Sequence, residues 1–297
     1  MTNILIVIDP EETEHSALSR IKEIPVSADI NFKVDFYLDA VPVSAEEASK
    51  IDFHIKDRRA WLDQLVEPYR SQGYKITTEI LPFRRLYEEI IKSARQFKAD
   101  FVFKPTRQHN TLKRVFYTPN DWNLIRLCPT PLLMVSDQRE EHGKPVVAAI
   151  DVSDKDTAHQ SLNEVVLEQA GLLSRVLGSD IHIVFAYGPS IVAGRSAIAD
   201  PLAYQISRDR YDEFMKAAKE LAKNHGVACD NVHMREGAPD MVIDEYAREA
   251  DAGVIVLGTV ARRGAAGLFV GNTAEGVLER TNTDVFVVKV PGFEAHV

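Results

Sequence analysis

Cysteine is scarce in this chain: Cys128 and Cys229 are its only two, and they stand far apart. They can build neither a disulfide framework nor a zinc cluster, and a reducing compartment is the expected setting. Long apolar runs are missing too. No segment approaches the roughly 20 apolar residues that a bilayer crossing requires. The opening MTNILIVIDP turns acidic without the basic flank of a secretory signal. A cytoplasmic protein with no membrane span is therefore expected. Basic charge is in deficit, 35 Lys and Arg against 44 Asp and Glu, a net of −9. Residues 1–143 hold 20 basic and 22 acidic side chains (net −2), and residues 144–297 hold 15 and 22 (net −7). An acidic surface does not concentrate a polyanion, so no nucleic-acid partner is expected. Catalytic spacings are absent as well: there is no GxSxG elbow, no HExxH and no GxxxxGK[ST]. His54 and His109 lack partners at metal-ligand spacing, so no metal site is expected.

What the chain does have is an internal repeat. NILIVIDP, residues 3–10, and PVVAAIDVS, residues 145–153, are both short apolar runs that end in an aspartate, Asp9 and Asp151. Ala99–Phe103 lies over Ala252–Val256 at an offset of 153, and the same offset lays TPLLMV (from Thr130) over TDVFVV (from Thr283). Two separated matches at one offset imply two copies of one unit. The polar segment SDQREEHGKP, residues 136–145, divides them, so domains are expected at 1–141 and 142–297. Continuous apolar runs alternate with amphipathic stretches in both halves. In the second half the expected strands are VVAAID, IHIVFAY, NVHMREG, GVIVLG and TDVFVVKV. Helices are expected over 156–176, 202–227, 241–250 and 273–281. The alternation predicts an α/β fold of two tandem doubly wound parallel sheets.

Ligands of such sheets sit at the carboxyl ends of the strands. There the second half carries GTVARRGAAGLFVGNTAEGVL, residues 258–278. Gly258 ends a strand, and Gly271-Asn272-Thr273 opens a helix, where free N–H groups can face an anion. This stretch resembles the universal stress protein family, whose nucleotide-binding members carry Gly, two residues, Gly, nine residues, then Gly followed by Ser or Thr. Gly258 and Gly271 fit the first and third glycines; Ala261 stands at the second, and Asn272 then Thr273 follow the third. Asp151 is similar to the family's aspartate facing the adenosine part of the ligand. The resemblance covers both halves, and FYTPNDWNLIRLCPTPLLMV (from Phe116) with GNTAE brings the chain nearest to the tandem members of Gram-negative bacteria.

The resemblance implies adenine-nucleotide alpha-hydrolase-like, Rossmann-like domains and a stress-response protein that acts by binding a ligand. ATP or another nucleotide is the implied cofactor, in the second half only. Its site would be made by Asp151, Gly258, Ala261, Gly271, Asn272 and Thr273. In the first half Pro105, Gln108 and Thr118 replace Gly258, Ala261 and Gly271, and proline has no amide to offer a phosphate. Two alternatives stand beside nucleotide binding: a carrier of a small or lipid-like molecule, lidded by residues 187–210, and a slow ATPase. The resemblance further implies that the halves form an intramolecular pseudo-dimer through their last strands, with homodimerisation open. Arg84, Arg85, Lys104, Arg107, Lys113 and Arg114 read as ordinary surface charge, with an anion patch as the alternative. Trp61 and Trp122 read as packing residues.

Overall fold

The computed structural model describes residues 1–9, 12, 14–39, 45–108, 115–136, 143–153, 156–188, 201–259, 262–264 and 267–294. The chain forms two compact units, one built on Met1–Glu140 and a second on Glu141–Phe293.

In the first unit five parallel strands run in the order β7-β4-β1-β2-β3, where β1 is Thr2–Ile8, β2 Ile30–Leu38, β3 Lys75–Pro82, β4 Phe101–Pro105 and β7 Leu132–Val135. A two-residue antiparallel pair, β5 (Arg107–Gln108) and β6 (Val115–Phe116), sits in the connection after β4. The helices are α1 (Ser16–Ser19), α2 (Ala45–Arg70), α3 (Leu86–Phe97) and α4 (Pro119–Leu127). β1 and β4 are buried along almost their whole length because helices cover both faces. Trp61 packs edge-on to Phe36, 5.5 Å between ring centroids, and Trp122 lies 5.5 Å from Tyr117.

The second unit repeats this plan. Its strands run β10-β9-β8-β11-β14, with β8 Val146–Ala149, β9 Ile181–Tyr187, β10 Val232–Glu236, β11 Val254–Thr259 and β14 Asp284–Lys289, all parallel. The helices are α5 (Thr157–Leu177), α6 (Pro201–Asn224), α7 (Pro239–Glu249) and α8 (Asn272–Arg280). After β11 the chain makes a short antiparallel ribbon, β12 (Arg262–Gly264) with β13 (Gly267–Phe269). At the offset of 153, α4 falls on α8 residue for residue.

Each sheet starts with a central strand and winds outward in both directions. The order therefore reverses between β1 and β4 in the first unit and between β8 and β11 in the second. Connections diverge there and leave a crevice beyond the strand ends. The core beneath is apolar; Val146, Val147, Ile255, Val256, Phe286 and Phe185 are each at most 2 % exposed.

Candidate functional site

In the second unit that crevice is a cavity of about 630 Å³, within the roughly 300–1,000 Å³ typical of small-molecule sites. Its floor is the ends of β8 and β11, at Ala149, Ile150, Leu257 and Gly258. One wall is the loop after β8 with the start of α5, and the opposite wall is the start of α8; Gly237 and Pro239 bring in the start of α7.

Asp151 closes the first wall. Its Oδ1 accepts from the Ser153 amide at 2.9 Å and the Ser153 hydroxyl at 2.6 Å, which fixes the turn after β8. Asn163, buried on α5, holds the same turn from below. Its Oδ1 accepts from the Asp151 amide at 3.0 Å, and its Nδ2 donates to the Asp151 carbonyl at 2.7 Å. Both backbone groups of Asp151 are thereby satisfied, and its exposed carboxylate is held at the cavity edge.

The opposite wall is a helix start whose N-cap residue, Gly271, has no side chain to cap it. Gly271 takes φ +103°, a region where L side chains are strained, and it makes the last non-helical residue before α8. A Cβ there would meet nothing within 4 Å, so backbone conformation rather than packing calls for glycine. Glu275 N–H bonds the Gly271 carbonyl at 3.0 Å and closes the first turn. The first amides of a helix have no intrahelical acceptor; here they belong to Asn272, Thr273 and Ala274, all lining the cavity. The partial positive charge of the helix start faces the same space.

Gly258 has a different reason to be glycine. An added Cβ would sit 2.5 and 2.6 Å from the Cδ2 and Cδ1 of Leu162 on α5, a residue 7 % exposed. Close helix–strand packing accounts for this glycine without any ligand.

The structure thus brings five of the six expected positions, Asp151, Gly258, Gly271, Asn272 and Thr273, around one cavity. Ala261 lies outside the described residues, as do residues 189–200 of the segment read as a lid. Sequence reading missed Asn163 and Ser153. Asn163 interrupts the apolar spacing of Leu162, Val165 and Val166, a polar residue on a buried face, and that was its signal. At the same edge the Ser153 hydroxyl donates to the Asp151 carboxylate, and His159 Nδ1 lies 3.4 Å from Asp156 Oδ2. No group of three or more His, Cys, Asp or Glu suited to a metal is found among the described residues.

The matching corner of the first unit is filled by its own side chains. Thr118 caps α4 by accepting from the Asp121 amide at 3.2 Å, and Asp121 Oδ2 accepts from the Thr118 amide at 2.7 Å and its hydroxyl at 2.8 Å. Lys104, at the end of β4, pairs with Asp121 Oδ1 at 2.6 Å, with both side chains under 10 % exposed. Lys104 is therefore a buried counter-ion, not a member of a surface patch. Arg85 pairs with Glu88 at 2.7 Å on the surface. Lys113, Arg114 and His109, with the side chains of Arg107 and His54, lie outside the described residues.

Comparisons with known proteins follow the same division. The family described as the universal stress protein family matches residues 1–136 and again 143–289. Universal stress protein E of Escherichia coli K12 is 31% identical over an alignment covering 99% of this chain and 96% of that protein. Among solved structures, a functionally unknown protein from Pseudomonas aeruginosa PAO1 superposes with a TM-score of 0.77 at 27% identity, covering 98% of this chain and 93% of that one. A universal stress protein from Archaeoglobus fulgidus gives 0.68 at 16% identity, covering 96% and 98%, a likeness of fold. Two matched halves, one sheet order repeated in both units and a relative matched over 96% of its length agree: the chain belongs to the universal stress protein family, as a tandem of two such domains.

Proposed function

We propose that the second unit binds an adenine nucleotide and that the chain serves the stress response by holding this ligand rather than turning it over. The observation that carries the reading is the helix start at Gly271, an N-cap with no side chain of its own to cover the first amides, opening on a cavity whose far wall is Asp151. Phosphate oxygens would accept from the amides of Asn272, Thr273 and Ala274. The ribose would lie toward Asp151, whose Oδ1 is engaged by Ser153 and whose other oxygen would accept from a sugar hydroxyl. Ala261 replaces a glycine of the family pattern, so the β12–β13 ribbon would approach the phosphates less closely. The first unit is proposed not to share this role, because Asp121 and Thr118 occupy its helix start.

Native mass spectrometry of freshly purified protein, followed by thermal melting with added ATP, tests the reading. The expected result is a nucleotide mass on the chain, or an ATP-dependent rise in stability approaching about 2.7 kcal/mol at a hundredfold excess over Kd. A lipid-like mass with no response to ATP would overturn it. Sustained ATP turnover abolished by Gly271→Arg would overturn the non-catalytic part.

A further inference from the structure

Strand β10 is the outer strand of the second unit's sheet, and α7 lies over its neighbour β9. The parallel register pairs Val232 with Ile183 and His233 with Val184. His182 and His233 therefore lie diagonally adjacent on one face of the sheet. Tyr246 of α7, 5 % exposed, comes down on both. Its hydroxyl lies 2.7 Å from His182 Nδ1. Its ring lies 4.5 Å from that of His233, at 31° between planes, and the two imidazoles are 5.6 Å apart. Arg235 stands over the Tyr246 ring, 4.9 Å from its centroid, and pairs with Glu249 of α7 at 2.6 Å.

This arrangement suits neutral imidazoles. His233 Nε2 is buried with no hydrogen-bond partner among the described residues. A proton there would create a buried N–H donor with nothing to accept it, which is expensive in free energy. A proton on His182 would turn Nδ1 into an obligatory donor and fix the direction of the bond to Tyr246. Two imidazolium rings at 5.6 Å, with a guanidinium beside them, would also repel. The charged neighbours of the rings are Asp180, which favours a proton on His182, and Arg235, which opposes one on His233. From α7, Glu249 and Glu245 act on Arg235. Burial holds both imidazoles below the ordinary histidine range, and for His233 the neighbouring His182 and Arg235 add to it.

We infer that His182, His233 and Tyr246 form an acid-sensitive latch that holds α7 on the sheet, and that its protonation in mild acid loosens the wall of the second unit's ligand cavity. The connection is short. Ile243, one turn before Tyr246, lines the cavity together with Pro239 and Gly237. The sign follows from linkage. An imidazole held below its ordinary value stabilises the folded state fully above about pH 6.5, and that stability is lost as pH falls from there through the folded value. The effect on ligand rests on the nucleotide reading; the latch itself does not.

The test uses the intact chain without ligand. Histidine ring resonances and amide exchange, corrected for intrinsic rates, are followed from pH 8 to pH 5. His182 and His233 are expected to titrate below free histidine, with protection lost in α7 as they do and retained in α5. His233→Phe, which keeps a ring on Tyr246, and His182→Gln, which keeps a partner for its hydroxyl, are expected to remove the pH dependence of α7 when combined. Wild-type α7 exchange that does not change with pH would overturn the latch, as would a pH dependence that survives both substitutions. ATP affinity measured at the two ends of the range then reads the consequence: it should weaken in acid for the wild type and less for the double variant. Exchange that responds to pH in a protein that binds no ATP would uphold the latch and refute the nucleotide reading.

Discussion

Replacing Gly258 by alanine should destabilise the protein by packing alone. The new methyl would stand 2.5 and 2.6 Å from the two δ carbons of Leu162, whereas carbon atoms settle at about 3.5–4.0 Å. Leu162 is buried on α5, and α5 is held at its start by the Asn163–Asp151 bonds, so an easy retreat is closed. Relief of about 1 Å has to come from an off-rotamer leucine or a shifted helix, at the usual overpacking cost of about 1–3 kcal/mol. Leu162→Ala alone should cost about 2–5 kcal/mol through the hole it leaves. Together the two changes should cost about 1–3 kcal/mol less than their sum, because the alanine methyl enters the space the leucine vacates. Urea unfolding of the four proteins, with matching slopes, measures the coupling. A Gly258→Ala variant as stable as the wild type would refute the reasoning, as would a cycle additive to within about 0.5 kcal/mol. Recovery of ATP affinity in the double variant would assign the glycine requirement to Leu162, not to close approach of a phosphate.

Asp121→Ala leaves Lys104 buried without its carboxylate partner and removes the carboxylate half of the α4 capping box, while Thr118 still caps the helix, and should cost about 3–5 kcal/mol by denaturant unfolding; Asp121→Asn, which keeps an acceptor for Thr118, should cost less. Asn163→Ala strands both backbone groups of Asp151 and should cost about 1–3 kcal/mol, with a loss of ATP affinity that a stability assay alone does not show.

Much of this was legible in the sequence because it rests on local pattern. IHIVFAY is β9 residue for residue, since an apolar run bounded by polar residues has little else to become. The offset of 153 laid Thr118 over Gly271, and the helices that follow these two residues, α4 and α8, coincide at that offset. What escaped depends on contacts between distant residues. Gly258 is glycine because Leu162, on a helix far earlier in the chain, occupies its space. Lys104 read as surface charge, and only the folded chain brings Asp121 to it. The β12–β13 ribbon has no periodicity to announce it, because three residues per strand are too few to alternate. The latch histidines carry no motif; the diagonal register of β9 and β10 puts them together.

The central claim is that ligand binding belongs to the second unit, and calorimetric titration of ATP into three intact proteins tests it most directly. Wild type should show one site per chain. Gly271→Arg, which fills the uncapped helix start, should abolish binding, and Thr118→Arg, at the matching position of the first unit, should leave affinity nearly unchanged. Both substitutions carry a stability cost, from strain at φ +103° and from a lost cap, so titration is run well below each melting temperature. One site, lost only with Gly271, is the predicted result. Two sites of similar affinity, or equal losses in both variants, would contradict it.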